Sequence, residues 1–422
     1  MRATKNSGFE WIGEIPTSWE LYKGKYMFTQ RNLRGNTIEL QLLSPTQKYG
    51  VVPQSVYEDR SGMSAVKLNE NANLSALKTI HKGDFCISLR SFQGGFEYSE
   101  YEGVVSPAYQ VFYPVVKVAR GYYKYLFKDS GFIEKMNSYT MTLRDGKNIA
   151  FADFGNSYIP CPPVDEQQHI ADFLDAKCSE IDALTADIQT QIDTLEQYKR
   201  SVITETVTKG LDPNAEMKDS GIEWVGQMPL AWDAVPNKYL MYKVKNICPV
   251  YNGEDILSLT TNGVIIRDLN GGGKMPTSFD GYQKVTPGNL LMCLFDIDVT
   301  PRCIGLIKDY GLTSPAYSQF AMKDGAYAPY YYYYYLMVDY TKELLHMAKN
   351  LRHSLTEDQL GAIKVPRPPY DEQIQIAEYL DIKCSEINQV IADKNNQLAT
   401  LDEYKKSLIF EYVTGKKEVP LS

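Results

Sequence analysis

Asp165-Glu166-Gln167-Gln168-His169-Ile170-Ala171-Asp172-Phe173-Leu174-Asp175-Ala176-Lys177-Cys178-Ser179-Glu180-Ile181 returns 206 residues later, with the same skeleton, as Asp371-Glu372-Gln373-Ile374-Gln375-Ile376-Ala377-Glu378-Tyr379-Leu380-Asp381-Ile382-Lys383-Cys384-Ser385-Glu386-Ile387. A second motif repeats upstream. Ser7-Gly8-Phe9-Glu10-Trp11-Ile12-Gly13, followed by Pro16 and Trp19, comes back as Ser220-Gly221-Ile222-Glu223-Trp224-Val225-Gly226, followed by Pro229 and Trp232. Solenoid units are only ~20–50 residues long, so a repeat of this length is a duplicated domain. Two copies of one binding unit imply a target read in two places.

Each copy reads as a globule followed by one long helix. Pro160, Pro162 and Pro163 precede the first helix, and Pro366, Pro368 and Pro369 the second. Proline ends the preceding element and is tolerated just outside a helix start. Asp165 is expected as N-cap with Gln168 completing a capping box, whereas Ile374 leaves the second box incomplete. A heptad reading places Ile181, Ile188, Leu195 and Val202 at a, with Leu184 and Tyr198 at d. In the second helix Ile387, Leu401 and Leu408 fall at a, Val390 and Tyr404 at d, and Lys394 interrupts. Repeated heptads with polar flanks predict that the two helices pair as an antiparallel coiled coil. The alternative is that each docks on its own globule. Cys178 and Cys384 fall one residue outside this seam. From Asp165 to Gly210 the helix would extend roughly 65 Å, a rod expected to hold two globules apart.

Within the first globule the strand candidates are 84–89 and 108–112, separated by Gly94-Gly95; in the second they are 290–295 and 316–320. Both copies keep Ser-Pro-Ala-Tyr (106–109 and 314–317), followed by aromatic-rich helix candidates around 122–127 and 330–335. The expected organisation is a tandem pair of α/β (α+β) domains, 1–160 and 213–366, each followed by a long helical region, 161–212 and 367–422, with a pseudo-two-fold relation.

An apolar fraction of 44% supports real cores. No run approaches the ~18–20 apolar residues of a membrane span, and the N-terminus lacks the apolar core of a signal peptide. Seven scattered cysteines without CxxC spacing predict a reduced, cytoplasmic setting and no zinc site. Four histidines without ligand or triad spacing argue against metal or acid–base chemistry. The net charge of −8 is unevenly distributed: residues 1–160 carry +4, 161–212 carry −7, 213–366 carry −2 and 367–422 carry −3. The acidity thus lies largely in the two helices, which need not touch a polyanion, although the second globule is itself slightly acidic.

The repeated SGxEWxGxxPxxW motif, Arg90-Ser91-Phe92-Gln93-Gly94-Gly95 together with Ser-Pro-Ala-Tyr, and the PPxDEQxxIAxxLDxKxxEI helix resemble the specificity (S) subunit of type I restriction–modification systems over nearly the whole chain. The resemblance implies two target-recognition domains and a coiled coil that docks two methyltransferase (M) subunits, with restriction (R) subunits joining through them. It also implies double-stranded DNA as partner and no catalysis by the chain itself. S-adenosylmethionine would belong to the M subunits, and ATP and magnesium to the R subunits. The second copy departs at 295–302, where Phe-Asp-Ile-Asp-Val-Thr-Pro-Arg replaces the Arg90–Gly95 motif. The two domains are therefore expected to read different half-sites of a bipartite target.

Arg90 and Gln93 are candidate base readers, since Arg pairs with guanine and Gln with adenine in the major groove; a structural turn is the alternative. Arg144, Lys147 and Arg352 occupy matching places and are candidate phosphate contacts. Lys274 follows three glycines, but Met275 and the missing upstream glycine break the Walker pattern, leaving a hairpin that touches DNA or is merely flexible. Arg302 is a further candidate. Arg367-Pro368-Pro369-Tyr370 resembles an amino-methyltransferase box, yet arginine cannot accept the hydrogen bond that its first position must accept. The tyrosines at 330–335 fit a packed helix better than a stacking platform, and Trp11, Trp19, Trp224 and Trp232 fit core anchors. Two other classes stand beside DNA reading: an acidic coiled-coil scaffold whose globules bind protein, and a stand-alone methyltransferase or nuclease.

Overall fold

Phe85-Cys86-Ile87 and Leu290-Leu291-Met292 are strands with every side chain buried, because each lies inside a four-stranded antiparallel sheet. In the computed structural model, residues 2–34, 40–63, 74–87, 95–139, 149–269, 276–348 and 353–420 are described. The chain forms two compact units, Met1–Ile188 with Asn396–Ser422, and Gln189–Asn395.

In the first unit the elements that matter are β1 (Glu20–Lys23), α1 (Gly24–Met27), β2 (Phe28–Gln30), β3 (Phe85–Ile87), β4 (Phe96–Tyr98), β5 (Gln110–Pro114), α2 (Arg120–Leu126), α3 (Phe151–Asn156), β6 (Tyr158–Cys161) and α4 (Val164–Lys209). The sheet order is β2-β5-β3-β4, and β1 pairs separately with β6. The second unit repeats the plan with β7 (Asp233–Pro236), β8 (Met241–Val244), β9 (Leu290–Met292), β10 (Ile304–Leu306), β11 (Ser318–Met322), α5 (Ala328–Thr341), α6 (Glu357–Ala362), β12 (Lys364–Arg367) and α7 (Tyr370–Val413). Its sheet runs β8-β11-β9-β10, and β7 pairs with β12.

The tyrosine runs are core. Tyr122, Tyr123, Tyr330, Tyr331 and Tyr334 are fully buried. A buried hydroxyl needs a partner, and the partners repeat. Tyr122 donates to the Val413 carbonyl (2.6 Å) and Tyr330 to that of Val207 (3.0 Å). Tyr123 donates to Pro160 O (3.2 Å) and Tyr331 to Pro366 O (3.3 Å), while Tyr125 and Tyr333 donate to Asp175 and Asp381 at 2.7 and 2.6 Å. Trp19 meets Tyr122 edge to face at 6.2 Å and Trp232 meets Tyr330 at 6.4 Å. Trp11 and Trp224 are partly buried against the same cores.

Both long helices enter each core. The first core takes Ile170, Leu174, Cys178 and Ile181 from α4 with Leu408, Ile409, Tyr412 and Val413 from α7. The second takes Ile203 and Val207 from α4 with Ile376, Leu380 and Cys384 from α7. The helices pair antiparallel within each unit. Phe173 stacks on Tyr412 at 4.5 Å and Asp182 meets Lys405 at 2.5 Å in the first; Gln191 bonds Lys394 and Lys199 bonds Asn388 at 3.0 Å in the second. The helices thus neither stand apart from the globules nor dock each on its own.

The pairing register differs from the heptad reading. Ile181, Ile188 and Ile387 are buried at the expected places, Leu408 likewise, and Leu195, Val202 and Leu401 are partly buried. The expected d residues Leu184, Tyr198, Val390 and Tyr404 are all exposed. Their place is taken four residues after each a position by Thr185, Ile192 and Lys199, and by Ile391, Leu398 and Lys405. Among these positions apolar residues at +3 (Leu184, Tyr198, Val390, Tyr404) outnumber those at +4 (Ile192, Ile391, Leu398), so the sequence favours the +3 reading, and a seam admits only one of them. Cys178 and Cys384 fall on this shifted seam and are buried in it, not outside it. The helix start also differs: α4 begins at Val164, putting Asp165 inside the first turn, and Gln168 bonds Asp172 (2.8 Å) in place of a capping box.

Candidate nucleic-acid interface

Six of the seven candidate contact residues, Arg90, Gln93, Arg144, Lys147, Lys274 and Arg352, lie outside the described residues. What the structure gives is the scaffold from which their segments spring. In the first unit, Ile87 at the end of β3 pairs directly with Phe96 at the start of β4, so the Arg90–Gly95 motif links adjacent antiparallel strands. On β4 Glu97 is completely buried, its two oxygens accepting from Lys128 Nζ at 2.7 Å each. Burial pushes the Glu97 carboxyl up to about 7, against the downward pull of Lys128.

The corresponding link of the second unit, 293–303, is described. Cys293 N–H donates to Cys303 O at 2.9 Å, extending the ladder by one rung. Asp296 takes a left-handed conformation (φ 47°), and Val299 projects into solvent. The base of the link is fixed to α5: Asp339 accepts from Cys303 N–H (2.9 Å), and Lys342 bonds both Asp339 (2.8 Å) and Thr300 O (2.8 Å). Burial raises both thiols, that of Cys303 to about 12, so neither is a nucleophile at neutral pH. Arg302 is partly buried, and its positive charge lies near the hydroxyls of Tyr332 and Tyr340, where it counters the rise that burial gives them. The fold therefore gives Arg302 a partner within the protein.

A feature missed in the sequence flanks the β1–β6 and β7–β12 ladders. Lys25 lies over the Tyr26 ring at 5.6 Å and Lys238 over Tyr239 at 5.4 Å, while the two tyrosines are 63% and 61% exposed. The repeat itself was the available signal, since Lys-Tyr stands at the start of the short helix in both copies. On the long helices, exposed apolar side chains include Leu184 and Tyr404 in the first unit, and Tyr198, Val390, Tyr370, Tyr379 and Ile382 in the second. Among the described residues no group of three or more His, Cys, Asp or Glu could hold a metal ion, and no helix is long and apolar enough to cross a membrane.

Residues 18–194 match the family model described as type I restriction modification DNA specificity domain. The type I restriction enzyme MjaVIII specificity subunit of Methanocaldococcus jannaschii is 26% identical over 306 residues, covering 67% of this chain and 68% of that protein. By these matches the chain is similar to the specificity subunits of type I restriction–modification systems. Solved structures agree on the fold of such a specificity subunit. A chain from a study of complex assembly and conformational transition of the type I R-M system superposes with a TM-score of 0.71 at 13% identity, covering 96% of this chain and 99% of that one. The HsdS subunit from Thermoanaerobacter tengcongensis gives 0.50 at 15% identity, covering 96% and 98%.

Proposed function

We propose that this chain is a type I specificity subunit that reads duplex DNA with one half-site per unit, and that its target is bipartite and asymmetric. One observation carries the reading. The two units share sheet order, buried tyrosines and helix anchors, yet the link between their two adjacent strands is Arg90-Ser91-Phe92-Gln93-Gly94-Gly95 in one and Phe295-Asp296-Ile297-Asp298-Val299-Thr300-Pro301-Arg302 in the other. A common scaffold with unlike links suits two unlike half-sites. Arg and Gln on the first link can address base edges in the major groove.

The exposed apolar residues on the long helices, Leu184 and Tyr404 in the first unit and Tyr198, Val390 and Ile382 among those of the second, supply apolar surface for two methyltransferase subunits. Chemistry then belongs to the partners. S-adenosylmethionine sits on the methyltransferase subunits, ATP and magnesium on restriction subunits joined through them, and this chain contributes recognition in the cytoplasm.

The test is a mobility shift with the methyltransferase partner across salt concentrations, together with genome-wide mapping of methylated adenines with and without this gene. The expected result is a salt-steep, sequence-selective shift and the loss of one split, asymmetric methylation motif. A complex that assembles but shifts all duplexes equally, with an unchanged methylation map, overturns the reading.

A further inference from the structure

We infer that Lys25-Tyr26 in the first unit and Lys238-Tyr239 in the second form a sequence-independent clamp on the phosphodiester backbone of the DNA, one per unit. The inference rests on the proposed DNA reading and concerns residues other than those of the links that differ between units.

Three observations carry it. First, each pair stands at one place in the fold, on the short helical turn after β1 or β7, and remains identical while the flanking residues have diverged (Gly24 and Met27 against Asn237 and Leu240). The fold gives no reason to keep an aromatic ring that is more than three-fifths exposed in both copies. A role common to both units does.

Second, the positive charge is unspent. Among the described residues neither Lys25 nor Lys238 has a carboxylate partner; Lys25 donates only to the neutral Asn156 Oδ1 at 3.1 Å. An ammonium held over a tyrosine ring leaves donors free, and the phenol offers another, a set that suits a phosphate oxygen.

Third, the neighbouring lysine has moved across the ladder without being lost. In the first unit Lys23 on β1 stands opposite Tyr158 on β6 and lies 5.4 Å from its ring centroid. At the same rung of the second unit Pro236 stands opposite Lys364. One strand has lost the lysine and the other has gained it, so the rung keeps its cation although both residues differ. In the second unit Lys323, donating to Lys238 O at 2.6 Å, adds a third. Such a cationic rung beside an exposed ring favours a polyanion over a protein partner, and its retention in both units favours the part of DNA that is alike in every sequence.

The test uses the full chain bound to its methyltransferase partner. Wild type, the fourfold variant K25A/Y26A/K238A/Y239A and the pair K25R/K238R are titrated against the mapped target and a scrambled duplex over a range of salt concentrations. Loss of both lysines makes the plot of log affinity against log salt shallower by about 0.9 per phosphate contact, roughly 1.8 in all. Target and scrambled duplex weaken by the same factor, the methylated motif is unchanged, and the arginine pair keeps the wild-type slope. An unchanged slope overturns the clamp, as does weakening confined to the target or loss of the methyltransferase from the complex with DNA affinity per complex intact. If the fourfold variant does not fold, K25Q/K238Q is read by the same criteria. A wild-type complex that never selects its target sinks the DNA reading itself; a selective wild type beside a variant of unchanged slope sinks only the clamp.

Discussion

The side-chain carbonyl of Gln167 accepts the backbone N–H of Ala119 at 2.9 Å, deep in the first unit. Its amide donates back to Pro162 O at 2.8 Å. Gln373 repeats the arrangement, accepting from Tyr327 N–H at 2.8 Å and donating to Pro368 O and Gly325 O at 2.9 and 3.1 Å. Ala119 and Tyr327 are the residues just before α2 and α5, and neither side chain caps its helix. The glutamine of the repeated Asp-Glu-Gln motif therefore bonds the backbone at the head of the tyrosine helix and fastens it to the proline turn that launches the long helix.

Replacing Gln167 by Ala leaves a buried donor and a buried acceptor unpaired. Each unmet group costs about 1–3 kcal/mol, so Q167A should lose several kcal/mol and Q373A a similar amount. Q167E should fail as well, because an ionised carboxylate cannot donate to Pro162 O. Urea unfolding monitored by tryptophan fluorescence measures the loss. Wild-type stability in Q167A would remove the anchoring role.

The seam register makes a sharper contrast. Ile192 is 7% exposed, whereas Leu184, which the heptad reading put at d, is 47% exposed. Truncating a buried Ile costs about 2–5 kcal/mol, whereas an exposed residue changes stability by about 0.5 kcal/mol or less. I192A should therefore lower the unfolding midpoint strongly and L184A hardly at all. If Leu184 proved the costlier site, the heptad register read from the sequence would be the true one.

The duplication, the long helices, the strands and the tyrosine helices were legible because each repeats a pattern with one physical solution. The seam was not, because apolar residues stand three beyond some a positions (Leu184, Tyr198, Val390, Tyr404) and four beyond some (Ile192, Ile391, Leu398), and only packing decides between them. Arg302 looked like a free reader in the sequence, yet Tyr332 lies thirty residues away and only the fold brings the two together. Glu97 gave no sign of burial either: it sits between Phe96 and Tyr98 like any strand carboxylate, until Lys128 closes over it.

The buried tyrosine hydroxyls yield a third expectation. Tyr122 and Tyr330 each bond a carbonyl in the last turn of a long helix, those of Val413 and Val207. Tyr→Phe keeps the ring packed and removes one bond worth about 0.5–1.5 kcal/mol net, plus the cost of a stranded carbonyl. Y122F and Y330F should each lose about 1–3 kcal/mol, and hydrogen exchange should speed up in the last turns of α7 and α4 respectively. Equal protection of those amides in wild type and variant would mean that the hydroxyls do not hold the helix ends.

Glu97 sets a pH dependence of definite sign. Its carboxyl titrates near 7 in the folded protein because burial disfavours the charge, against an ordinary value of 4.5. The folded state thus binds more protons than the unfolded state between those two values, and stability falls as pH rises through that window. The gap corresponds to roughly 3 kcal/mol at most. E97Q stays neutral at every pH, so the stability of wild type relative to E97Q should decline from pH ~4.5 to ~7 and be level on either side. Losing the Lys128 ion pair offsets the two curves above the window. Parallel stability curves for the two proteins from pH 4 to 8 would show that Glu97 is ionised throughout, with Lys128 neutralising it in full.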